Sequence, residues 1–90
     1  MKLKEGFIVR KVANTDVVIP VGNNIANFNG IITLNETAAF LWNLLKGGTE
    51  VTDMVEAVVS EFEVNRESAL EDVEAFTMQL RQANMLEELV

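Results

Sequence analysis

Residues 28–45, reading FNGIITLNETAAFLWNLL, constrain the fold of this chain more than any other stretch. They run a turn, a short apolar strand, a helix cap and an apolar helix into one another with no spare residue. Asn29-Gly30 tolerates positive φ and so reverses a chain tightly. Ile31, Ile32 and Thr33 are β-branched and favour extended backbone. Asn35 supplies a side-chain oxygen for the free N–H groups that open a helix. Ala38, Leu41, Trp42 and Leu45 then recur at helical spacing. A strand that runs almost directly into a helix leaves its backbone near a helix-lined groove, so function is expected beside this junction.

The rest of the chain supplies partners for that unit. Residues 4–12, KEGFIVRKV, predict a strand with Phe7, Val9 and Lys11 on one face and Ile8, Arg10 and Val12 on the other, one face buried. After the polar break Ala13-Asn14-Thr15, residues 16–21 predict a second strand, rich in valine, and the two form a hairpin. Pro20 lacks an N–H for the ladder and belongs at an edge or near a strand end. Residues 22–30 read either as a short extended piece over 25–28 or as one irregular connection; residues 31–34 form the last strand. Three helices follow. The first, over 36–46, is apolar almost all round, which places it at the centre of the core, and Gly47-Gly48 ends it. The second, over 52–62, carries the stripe Val51, Met54, Val55, Val58, Val59 and Phe62. The third starts at the cap Asn65 and runs to about Ala83, with Ala69, Val73, Phe76 and Leu80 on its inner face and Asn84 as its end. Met85 and Leu86 are expected to fold back onto the core. The predicted fold class is α+β: a small antiparallel N-terminal sheet of about three strands followed by three helices, winged-helix-like in content, in a single domain over 1–90.

Charge and residue type then narrow the function. The chain is 90 residues long with a net charge of −7. Residues 1–49 carry five cations against three acids, +2, and residues 50–90 carry two against eleven, −9. An acidic helical half argues against nucleic acid, which needs a basic face. No run approaches the ~18 apolar residues of a membrane span, and no signal-peptide pattern follows the start, so no membrane partner and a cytoplasmic location are expected. Without cysteine or histidine there is no thiolate site, no disulfide, and neither the commonest metal ligand nor the commonest general base.

Catalytic candidates are correspondingly thin. Ser60 and Ser68 lie on helices among glutamates with no histidine to activate them. Glu67, Glu71 and Glu74 share a helix face that reads as solvated, and no loop offers the dense oxygen cluster of a calcium or magnesium site. Gly47-Gly48 lacks the lysine and strand of a phosphate cradle, and Ser68-Ala69-Leu70 lacks the setting of a carrier-protein serine. The chain is therefore expected not to be an enzyme and to hold no cofactor or metal. Recognition remains. The strand over 31–34 has none of the charges that blunt an exposed sheet edge. An extended peptide can add there as a further strand, or the edge can be paired within a dimer.

The string Leu34-Asn35-Glu36-Thr37-Ala38, preceded by Ile31 and Thr33 and continued by Leu41, Trp42 and Leu44, resembles the PqqD-like family. The glycine break, the Val51–Met54–Val55 pattern and the long acidic helix ending in Leu80 and Leu86 extend the resemblance over nearly the whole chain. The resemblance implies a peptide recognition element of ribosomally made, modified peptide pathways. Such a domain binds a precursor's leader antiparallel to the last strand, beside the third helix, and presents it to a modifying enzyme, often a radical SAM protein. Carried onto this chain, the implied peptide-binding residues are Ile31, Ile32, Thr33 and Leu34 on the strand and Asp72, Ala75, Phe76 and Gln79 on the helix. The pathway need not be that of pyrroloquinoline quinone. The alternative is a regulatory or structural homodimer module whose edge is filled by another copy.

Overall fold

The computed structural model describes residues 1–22 and 32–88. In chain order these form β1 (Lys2–Leu3), β2 (Phe7–Val12), β3 (Thr15–Pro20), β4 (Ile32–Leu34), α1 (Glu36–Gly47), α2 (Val51–Phe62), α3 (Arg66–Gln82) and β5 (Leu86–Glu87). The expected piece over 25–28, the Asn29-Gly30 turn and Ile31 lie outside the described residues. The α+β order, sheet first and three helices after, matches the expectation. The winged-helix likeness is one of content only.

Turn chemistry sets the hairpin. Val12 pairs with Thr15, leaving a two-residue loop in which Ala13 and Asn14 both have positive φ, 48° and 68°. Two positive φ values make a turn whose twist matches that of the strands. Thr15 thus belongs to the strand and not to the break. Pro20 closes β3, opposite Phe7, where its missing N–H costs least. β3 is the central strand of the sheet β2–β3–β4, with Val18 opposite Ile32 and Asp16 opposite Leu34.

One expectation for β2 fails. It has no fully buried face: Ile8, Val9 and Val12 are exposed, and only Phe7 packs against the core from the side. The buried residues of the sheet are Val18, Ile32 and Leu34, all on β3 and β4. The helices therefore back the β3–β4 side of the sheet, and the hairpin overhangs them.

The helices follow their apolar periodicity. Asn35 caps α1 by accepting from the Ala38 N–H at 2.8 Å, and Asn65 caps α3 by accepting from the Ser68 N–H at 2.7 Å. Gly48, at φ 89°, ends α1, and its N–H donates to the Leu45 carbonyl. Leu41, Trp42 and Leu45 of α1 are buried against Met54, Val55 and Val58 of α2 and Ala69, Val73, Phe76 and Leu80 of α3 in one core. The outer side of α1 is used as well: Phe40 meets Phe62 edge-on, with ring centroids 5.4 Å apart.

A second, two-stranded ribbon was not legible in the pattern. β1 pairs antiparallel with β5, Leu3 opposite Leu86, and closes the helical end of the core. The Met1 ammonium donates to the Thr49 carbonyl at 2.9 Å and contacts Glu50 at 3.2 Å, while the Lys4 N–H donates to the Met85 carbonyl at 2.8 Å. Met85 is fully buried, so the chain end does fold back as expected. Asn84, at φ 59°, makes the reversal out of α3.

Candidate functional site

The junction between β4 and α1 opens on one side into a groove. Among the described residues β4 pairs with β3 alone, so its other edge carries backbone groups without a ladder partner. Asn35 turns the chain from that edge into α1, and the cap holds the first helical turn beside it. Across the gap runs α3. The groove between them has a volume of about 260 Å³ and is lined by Thr33, Asn35, Thr37, Ala38, Leu41, Asp72, Ala75, Phe76 and Gln79.

The strand residues expected at the site divide by their pleat. Ile32 and Leu34 are buried at 8% and 5% exposure, pack into the core and are not among the residues that line the groove. Thr33, between them, is exposed and lines the groove. Ile31 lies outside the described residues. On α3, Asp72, Ala75 and Gln79 are exposed on the wall, one or two turns apart. Phe76 does two things: it is buried in the core and forms part of the groove floor. With Leu41, which is 1% exposed, it makes that floor apolar.

Asn35, Thr37, Ala38 and Leu41 complete the groove and were not expected there as site residues. Sequence reasoning placed Asn35 as a cap and Ala38 and Leu41 in the core, and named Thr37 only as part of the family string. The signal that could have found them is their spacing: positions 37, 38 and 41 share one face of α1, and that face begins at the exit of β4.

The groove is electrically one-sided. Asp72 is its ionised side chain, and it has no ion pair among the described residues. The two cations of α3 are engaged elsewhere, Arg66 with Glu56 and Arg81 with Glu88. Glu67, Glu71 and Glu74 are exposed on neighbouring faces of the same helix. Ser60 and Ser68 are exposed, and among the described residues no three acidic side chains are placed to hold a metal ion. Nor is any helix of the described residues long and apolar enough to cross a membrane.

A second cleft of about 370 Å³ lies under the hairpin, between Phe7, Val9, Leu34, Ala39, Trp42 and Lys46. It is larger, but its walls are the β2–β3 hairpin and α1, and β4 meets it through the Leu34 side chain.

Residues 16–86 match the family of Coenzyme PQQ synthesis protein D (PqqD). The chain belongs to the PqqD family. The match runs from β3 to the first residue of β5 and so includes both walls of the groove. Two solved structures share the fold of this PqqD-family chain. TbiB1 in complex with the TbiA(beta) leader peptide has a TM-score of 0.75 at 20% identity, covering 100% of this chain and 99% of that one. A lasso peptide synthetase B1 complexed with its leader peptide has a TM-score of 0.72 at 25% identity, covering 97% and 96%. No curated protein matches the chain.

Proposed function

We propose that this PqqD-family chain binds the leader segment of a ribosomally made precursor peptide and presents it to a modifying enzyme, without catalysing a reaction itself. The observation that carries the reading is an uncharged strand edge bordering an apolar-floored groove. A leader added to β4 gains main-chain hydrogen bonds from the edge and side-chain contacts from Leu41 and Phe76. Two proteins that share the fold are leader-peptide complexes, which supports the same class of ligand here.

The sheet has a second outer strand, β2, and its composition argues against it as the peptide edge. β2 carries Arg10 and Lys11, the kind of charge that discourages pairing. β4 carries no charge. The peptide-binding set on this reading is Ile31, Ile32, Thr33, Leu34, Asp72, Ala75, Phe76 and Gln79, extended by the α1 residues that line the groove.

The enzyme partner is a radical SAM protein or another peptide-modifying enzyme. Ile8, Val9 and Val12, exposed on the overhanging hairpin, leave it an apolar surface away from the bound leader. The competing occupant of the β4 edge is a second copy, as in a regulatory or structural homodimer. Sedimentation with and without peptide tests both. A monomer that takes up one labelled peptide supports the leader reading. A tight dimer that peptide never opens, with the β4 amides protected throughout, overturns it.

A further inference from the structure

The groove also defines what kind of leader it takes. We infer that it selects segments placing a large apolar side chain over Leu41 and Phe76 and, at the next position on the same peptide face, a lysine or arginine against Asp72. This rests on the leader-binding reading and adds its selectivity.

Two observations carry it. The first is spacing. Asp72 and Phe76 are four residues apart on α3, a rise of ~6 Å. Same-face residues of an extended peptide repeat every ~6.6 Å. A strand lying along α3 therefore brings one side chain to the apolar floor and its next same-face neighbour to the carboxylate.

The second is charge. Of the groups facing the gap, β4 contributes Thr33 and the start of α1 contributes Asn35 and Thr37, all neutral. Glu36, in the first turn of α1, adds a further negative charge nearby. From α3 come Asp72, neutral Ala75 and Gln79. Arg66 and Arg81 are held by Glu56 and Glu88, and Lys11 by Asp16 at 3.3 Å. An incoming cation meets a carboxylate that has no ion pair among the described residues, whereas an incoming acid meets the full charge of Asp72 and, against it, only the partial positive end of α1, which Glu36 and the Asn35 cap already offset. Asp72 is exposed, so the pair is solvated and discriminates by roughly fivefold rather than by orders of magnitude.

The test selects binders from a display library of random 15-residue peptides, using the full chain and its Asp72→Lys variant. Wild-type binders are expected to share a lysine or arginine two residues from a large apolar residue. Asp72→Lys should select aspartate or glutamate at that place. For one enriched peptide, replacing the cation by glutamine should weaken binding to the wild type about fivefold, and Asp72→Asn should erase that difference. Ala75→Trp, which fills the groove, separates the two layers of the reasoning. If Ala75→Trp abolishes binding while Asp72→Lys leaves the selected motif unchanged, the groove reading stands and the charge selectivity is overturned. If Ala75→Trp leaves binding intact, or no peptide is enriched, both fall.

Discussion

Replacing Asn35 by alanine probes the strand–helix junction directly. The Asn35 side chain accepts from the Ala38 N–H at 2.8 Å and also lines the groove. Losing an N-cap of this kind costs ~1 kcal/mol. For a domain of this length that lowers the melting temperature by about 5 °C. Asn65 is the control: it caps α3 with the same geometry, 2.7 Å to the Ser68 N–H, but does not line the groove. Asn65→Ala should lose similar stability. The two variants should differ in peptide binding: Asn35→Ala frees the first turn of α1 beside β4 and weakens binding several-fold, whereas Asn65→Ala binds as the wild type does. Asn35→Asp keeps an acceptor and should restore stability. Thermal melts followed by circular dichroism, with fluorescence anisotropy of a library-selected peptide at 25 °C, read both quantities. An Asn35→Ala protein that melts with the wild type, or whose binding falls no further than that of Asn65→Ala, would refute this account of the junction.

Other parts of the fold give independent checks. Leu41→Ala removes a side chain that is 1% exposed and should cost ~3 kcal/mol, read as a fall in the urea midpoint. Ala13 sits at φ 48°, which asparagine tolerates better, so Ala13→Asn should raise stability by ~0.5 kcal/mol in the same titration. Ser60→Ala and Ser68→Ala alter exposed side chains and should stay within ~0.5 kcal/mol of the wild type with peptide binding unchanged; a large loss of binding would point to a hydroxyl-dependent site.

The parts of the fold that were legible are those encoded locally. The 4-3-4 spacing of Ala69, Val73, Phe76 and Leu80 marks the buried face of α3, and Asn35 and Asn65 mark where two helices start. The β1–β5 ribbon was hidden because its strands are two residues each, too short to carry a period, and pair across more than eighty positions. The exposure of β2 was hidden for a different reason. Its apolar residues look like one buried face, but burial depends on how far the helices extend beneath the sheet, and they back only β3 and β4. At the site, Thr33, Asp72, Ala75, Phe76 and Gln79 were named through the family resemblance, and they line one groove. Ala38 and Leu41 were not, because an apolar position on a central helix reads the same whether it faces the core or the floor of a cleft; Thr37 was not, because a polar residue in the first turn of a helix reads as solvated.

The central claim is strand addition at β4, and amide hydrogen exchange on the full chain tests it most directly. With a library-selected peptide bound, the amides of Ile32–Leu34 that point away from β3 should exchange more slowly, while those of Phe7–Val12 stay unchanged. Protection gained along Phe7–Val12 with none at Ile32–Leu34 would contradict the account and move the peptide to the opposite edge of the sheet.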